Sequence, residues 1–177
     1  GNAQTISGPV INVPYTTAFT NEDGKRISEV RYAHFLPDEL KITGDFDPEI
    51  RHRSIYEAVV YKSNLNIEGS FSYPDFSEWN IADGDILWKE STITLGISDL
   101  RGVKQRLAVN LNGQNIEFNP GLDNHDIQES GVSIRMPLTE SQNQDSARMS
   151  FNMSLKLNGS KEMYFLPLGK ETQVFLK

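Results

Sequence analysis

Ser146-Ala147-Arg148-Met149-Ser150-Phe151-Asn152-Met153-Ser154-Leu155-Lys156-Leu157-Asn158 alternates polar and apolar residues without one exception. Side chains alternate across a strand and wind around a helix, so only an extended strand sorts this run into two clean faces. Ala147, Met149, Phe151, Met153, Leu155 and Leu157 fall on one face, and the Ser, Arg, Asn and Lys residues on the other. A strand with one apolar and one polar side belongs to an antiparallel sheet with a core on one face and water on the other. The expected class is all-β, with the apolar side of this strand on the core.

Working outward, Asn158-Gly159 reads as a turn, followed by strands over 161–166 and 172–176. Upstream, 139–145 is polar and reads as an exposed turn, 132–136 as a strand, and 119–130 as a loop containing Pro120 and Gly121. The clearest hairpin joins 105–111 to 114–118 through Asn112-Gly113, a pair that accepts the positive φ angles of a type I′ turn. Residues 87–97 read as a strand with Ile93, Leu95 and Ile97 inward, after a loop or short helical turn over 74–84 that holds Trp79. Residues 53–71 form the longest extended candidate, too long for one regular strand, so a bend is expected within 61–66. A helix over 48–62, capped by Asp47 with Pro48 in its first turn, is the rival reading there, but Tyr56, Val59, Val60 and Tyr61 favour strand. Strands are also expected over 29–36 and 40–46, and 6–15, with Pro9 and Pro14, reads as a short edge strand. About ten strands with short turns and little helix pack most economically as a two-sheet β-sandwich forming a single domain over 1–177. Phe35-Leu36-Pro37 and Phe165-Leu166-Pro167 echo each other, a weak sign of a duplicated half-domain.

The bulk numbers fit this picture. In 177 residues the hydrophobic share is 37%, and 9 Phe, 6 Tyr and 2 Trp supply large core pieces. A net charge of −7 argues against nucleic acid as a partner and against close docking on anionic headgroups. The absence of cysteine removes disulfides, thiolate metal sites and Cys nucleophiles. No apolar run approaches the roughly 18 residues of a membrane-spanning helix. A start at Gly1 rather than Met suggests a segment taken from a longer protein.

Chemistry-bearing constellations are sparse. His34, His52 and His125 are the three imidazoles, and His34, between Ala33 and Phe35, reads as a packing residue. Asp123, His125 and Asp126 have the look of a metal cluster, yet they follow Pro120-Gly121, where Asp and Asn make turns, and no second His stands at a partner spacing. Asp83-Gly84-Asp85 lacks the further ligands of a calcium loop. No nucleophile elbow, zinc helix or phosphate loop is present. No catalytic, metal or cofactor residues are assigned, and no cofactor is expected. Three residues are candidates for binding: Arg101, Trp79 and Trp88. Arg101 stands in the individual turn Ser98-Asp99-Leu100-Arg101-Gly102, where pairing with Asp99 is the plainer reading. Trp79 and Trp88 could stack on sugar rings, with Asp75, Glu78, Asp83 and Asp85 as nearby carboxylates; core packing is the plainer reading for both rings.

Seven stretches occur in an order that resembles the CreD family of bacterial inner-membrane proteins. They are Ser7-Gly8-Pro9-Val10-Ile11-Asn12-Val13-Pro14-Tyr15, His34-Phe35-Leu36-Pro37-Asp38-Glu39-Leu40, Arg53-Ser54-Ile55-Tyr56-Glu57-Ala58, residues 98–103, Asn110-Leu111-Asn112-Gly113, Asn119-Pro120-Gly121, and Phe165-Leu166-Pro167-Leu168-Gly169-Lys170. The resemblance implies a role in cell-envelope integrity and colicin tolerance, with this segment as a periplasmic domain. It implies a membrane helix before Gly1 and several more downstream, and it brings no established enzymatic chemistry and no catalytic set. Family members continue past the last strand with a Trp-Pro-His-Pro-type stretch, so part of the ectodomain is expected beyond Lys177. The resulting expectation is a non-catalytic periplasmic ectodomain of a polytopic inner-membrane protein that senses or scaffolds through contacts with other envelope proteins. The alternative is a glycan-binding or glycan-processing β-sandwich module.

Overall fold

A computed structural model describes residues 3–44, 47–52, 55–59, 62–103, 105–139, 148–158, 162–166, 168–169 and 171–176, with backbone alone at 47–52, 55–59, 62–63, 102, 157–158 and 171–176. In chain order the strands are β1 (Ala3–Thr20), β2 (Arg26–Phe35), β3 (Glu39–Gly44), β4 (Asp47–His52), β5 (Ile55–Val59), β6 (Lys62–Ser72), β7 (Thr92–Ile97), β8 (Ala108–Leu111), β9 (Gln114–Glu117), β10 (Asn119–Pro120), β11 (Gly131–Arg135), β12 (Arg148–Asn158), β13 (Glu162–Leu166) and β14 (Glu171–Leu176). One sheet runs β10-β11-β7-β1-β13-β5-β4, with β2 also on β1; the other runs β14-β3-β6-β12-β8-β9. The class is all-β, a two-sheet sandwich, as expected. Its strands number fourteen among the described residues rather than about ten, and two pairs, β1 with β13 and β3 with β14, are parallel within otherwise antiparallel sheets. The parallel pairs involve strands far apart in sequence, which no local turn signal announces.

The alternating run is β12, paired along its length with β6. Met149, Phe151, Met153 and Leu155 are all buried, while Arg148, Ser150, Asn152, Ser154 and Lys156 are exposed. Across the ladder Leu65, Ile67 and Phe71 of β6 fall on the same buried side, and Ile93, Leu95 and Ile97 of β7 supply the opposite sheet's share of one continuous core. The two ends of the 53–71 candidate belong to different sheets. β5 pairs with β13 in the first sheet and β6 with β3 and β12 in the second, so the break falls between Val59 and Lys62. The helix alternative over 48–62 is overturned, because β4 and β5 pair with each other as antiparallel strands.

The edge-strand reading of 6–15 needs correction. β1 is 18 residues long and lies inside the sheet up to Asn12, with β7 along one edge and β13 and β2 sharing the other; β2 alone of the described strands pairs with it from Val13 to Thr20. Its two prolines sit where no ladder bond is lost. Pro9 lies in a bulge, since the register with β7 shifts between Ser7 and Val10. The bulge needs Gly8, whose φ of 100° is closed to most side chains. It also switches the parity of the strand, so that Ile6 before it and Ile11 and Val13 after it all reach the core. At Pro14 the carbonyl accepts from the Leu87 N–H, 2.8 Å away, which turns the missing N–H away from β2 and beyond the last β7 pairing at Asn12.

The Asn112-Gly113 hairpin forms as read, with φ of 49° and 88° at the two turn residues joining β8 to β9. The strand read over 87–97 is shorter. Trp88–Glu90 is a 3-10 turn, and in β7 both faces are buried, because residues of the 121–130 loop cover Thr92 and Thr94 on the side away from the core. That loop region also contributes the short β10. The two Phe-Leu-Pro segments lie where the chain leaves β2 for β3 and β13 for β14, from the first sheet to the second in each case. Pro167, the expected turn over 139–145 and the turn at Asn158-Gly159 fall wholly or largely outside the described residues.

Candidate functional site

Two polar assemblies stand out, one on the outer face of each sheet. On the first, Asn12 is 2% exposed and lies at the centre of a network. Its Nδ2 donates to Thr92 Oγ1 at 3.2 Å and Thr94 Oγ1 at 3.0 Å. Those hydroxyls pass their own protons onward, Thr92 to Asp123 Oδ2 at 2.7 Å and Thr94 to Gln128 Oε1 at 2.6 Å. With both hydroxyls committed as donors, Asn12 must turn its Oδ1 toward His34 Nδ1, 2.7 Å away. The other ring nitrogen of His34, Nε2, meets Asp126 Oδ2 at 2.8 Å. Gln128 Nε2 closes the assembly on the Ser7 carbonyl at 2.8 Å. Burial, and then the negative charges of Asp123, Glu90 and Asp126, push the neighbouring Tyr32 phenol above its ordinary value. Chemically the assembly is a clasp that fastens the 121–130 loop to β1, β2 and β7. Both nitrogens of His34 are engaged, one by Asn12 and the other by Asp126.

The second assembly is an open trough of about 760 Å³ on the outer face of the second sheet. Strand register sorts its side chains into rows. Glu39 of β3, Ser70 of β6 and Ser150 of β12 stand side by side, and Lys41, Glu68, Asn152 and Asn110 form the next row. The β8–β9 turn closes one end, held because Asn112 Oδ1 accepts from the Ser150 N–H at 2.9 Å and Asn112 N–H donates back to the Ser150 carbonyl at 2.9 Å. Lys41 and Glu68 pair at 3.8 Å. Among the described residues Arg148, Asn152 and Glu39 enter no side-chain hydrogen bond or ion pair, and the Ser70 hydroxyl is buried with no partner. Within the described residues no group of three or more His, Asp or Glu side chains is placed to hold a metal ion, and no helix is long and apolar enough to cross a membrane.

The family model described as "Inner membrane protein CreD" matches residues 1–177. The chain belongs to the CreD family. A relative, the inner membrane protein CreD of Escherichia coli (strain K12), is 28% identical over 176 residues, covering 98% of this chain and 38% of the relative. This CreD-family chain therefore spans well under half the length of that protein. No solved structure matches it.

The residues singled out in the CreD-family sequence are dispersed in the fold. Trp79 and Trp88 both join one aromatic cluster, each packed on Phe76 with ring centroids 5.6 and 5.3 Å away. Trp88 stands edge-on to Phe76 at 82° and is half-buried, while Trp79 also meets Tyr15 and Phe35 and remains 39% exposed. The nearby carboxylates serve local turns: Asp75 accepts from the Ser77 N–H and hydroxyl, and Asp83 and Asp85 belong to the 3-10 turn Asp83–Asp85. Arg101 forms the simple pair, its Nε and Nη2 donating to Asp99 at 2.9 and 3.0 Å. Hydrogen bonds from the Arg101 side chain and backbone hold the Asp99 carboxyl below the usual carboxylate range. Gln4 ties this turn to β1 through Ser98 and the Asp99 backbone. His125 Nδ1 binds the Glu129 carbonyl and so parts from Asp123 and Asp126, and the His52 side chain lies outside the described residues. The trough went unread because it is assembled by register across four strands. Its one signal in the sequence is the polar face of the 146–158 run.

Proposed function

We propose that this chain is a non-catalytic periplasmic ectodomain of a polytopic inner-membrane protein, serving cell-envelope integrity or an envelope-stress response through binding rather than chemistry. The observation that carries this reading is the family match over 1–177, joined to a relative named an inner membrane protein of which the chain covers 38%. The folded segment supports it. Its described residues build an all-β sandwich with no membrane-crossing helix, which suits a domain displayed beside a membrane by other parts of a longer protein. The net charge of −7 disfavours embedding in anionic headgroups. The most acid–base-capable constellation, His34 with Asp126 and Asp123, is consumed in fastening a loop, which supports a binding role over catalysis. Other envelope proteins are the expected partners.

The test is genetic. A full-length protein lacking residues 3–176 is expected to reach the inner membrane yet fail to restore resistance to cell-wall damage in a deletion strain, while the intact protein restores it. Full restoration by the shortened protein would remove this segment from the function.

A further inference from the structure

We infer that the trough on the second sheet is a binding site for a hydroxyl-rich, carboxylate-bearing glycan. This goes beyond the reading of the chain as an ectodomain and does not depend on which side of the membrane it lies. Ser70 is the first observation. Its residue is 8% exposed, it stands on the outward side of β6 and lines the trough, and its hydroxyl has no partner among the described residues. A buried hydroxyl without a partner costs free energy that a bound donor or acceptor recovers. The second observation is the unspent capacity around it: Arg148 offers a guanidinium, Glu39 a carboxylate and Asn152 an amide, each unpaired among the described residues.

The chemistry of this lining selects among ligands. Hydroxyls, amides and carboxylates recur from strand to strand at about 4.8 Å, a ladder of mixed donors and acceptors that suits a chain of sugar hydroxyls. An apolar ligand would strand those polar groups. An extended peptide gains affinity by adding main-chain bonds at a sheet edge. Here the trough crosses a sheet face, where β6 and β12 have strands on both sides and the ladder groups at Ser70 and at 150–152 are already engaged. A nucleic-acid backbone, with a phosphate at every nucleotide, finds only Lys41 and Arg148 as cations in this lining, and Lys41 is already paired with Glu68. The unpaired guanidinium of Arg148 is suited to grip a carboxylate with two parallel hydrogen bonds, which makes an acidic sugar the preferred occupant. Trp79 and Trp88 take no part, since neither lines the trough.

The experiment is a titration of the 177-residue chain, followed by nuclear magnetic resonance, with three probes: tri-galacturonate, chitotriose and an extended acidic hexapeptide. Saturable binding of tri-galacturonate, with shifts centred on Ser70, Ser150 and Asn152, is expected. Arg148→Ala is expected to weaken tri-galacturonate about tenfold or more, the loss of one charge-assisted bidentate contact, while changing chitotriose less than threefold. Ser70→Ala, which removes one oxygen from a buried site, is expected to weaken both sugars with an unchanged unfolding midpoint. Absence of saturable sugar binding, or sugar binding that neither variant alters, overturns the site. Tighter binding of the hexapeptide than of either sugar overturns the assignment to glycans.

Discussion

Phe151→Ala is expected to remove about 3–5 kcal/mol of folding stability, measured by urea unfolding of the chain. The reason lies in where the opening run places this ring. Phe151 is 3% exposed in a strand flanked by β6 and β8, and its ring centre is 5.2 Å from that of Phe71. It also covers the one position of the inward β6 face that lacks a side chain: a Cβ built at Gly69 would meet Phe151 Cζ at 2.8 Å. Truncation therefore opens a cavity bordered by a glycine, which has nothing with which to refill it. Against a total stability of roughly 5–15 kcal/mol for an ordinary domain, such a loss approaches the threshold of folding. Ser154→Ala, three residues along on the exposed face, is expected to change stability by no more than about 0.5 kcal/mol. Equal effects from the two substitutions would mean that the alternation does not divide core from solvent.

Asn12→Leu is expected to cost about 2–4 kcal/mol and to loosen the 121–130 loop. Leucine keeps the branched outline of asparagine but is bulkier, so the cost combines lost hydrogen bonds with crowding at a position only 2% exposed. The His34 Nδ1 N–H would lose its acceptor, and the Thr92 and Thr94 hydroxyls would lose the donor that joins them. Because Asp123, Asp126 and Gln128 hold the loop through those same partners, amide exchange at 121–130 is expected to rise before global unfolding does. A double-mutant cycle of Asn12→Ala with His34→Ala is expected to show coupling of about 0.5–3 kcal/mol. A cost below about 0.5 kcal/mol for Asn12→Leu, with unaltered exchange in the loop, would show that the clasp does not hold it.

These two residues also mark what the sequence makes legible. Phe151 sits in a run whose period of two is itself the structural signal, so its strand, face and burial follow from order alone. Asn112 and Gly113 are equally readable, because a two-residue turn is a local device. Asn12 is different. Its partners are 22, 80 and 82 residues away, and nothing local to Pro9 and Pro14 announces that β1 runs through the middle of a sheet. Proline reads as an edge signal unless the bulge that accommodates it is known. The trough is harder still, since Glu39, Ser70 and Ser150 become neighbours only through the register of three strands. Conversely, Trp79 and Trp88 drew attention as large exposed-capable rings, and the fold spends both in one aromatic cluster around Phe76. Membership of the CreD family was legible because it rests on ordered stretches over the whole chain and needs no contact map.

The central claim is that this domain faces the periplasm, and one labelling measurement tests it most directly. The 177 residues contain no cysteine, and Asp23 is exposed in the turn between β1 and β2. In the full-length protein, with cysteines elsewhere replaced by serine, Asp23→Cys supplies a single reporter. A membrane-impermeant maleimide applied to cells with a permeabilised outer membrane and an intact inner membrane is expected to label it fully. Labelling only after the inner membrane is broken would contradict the account.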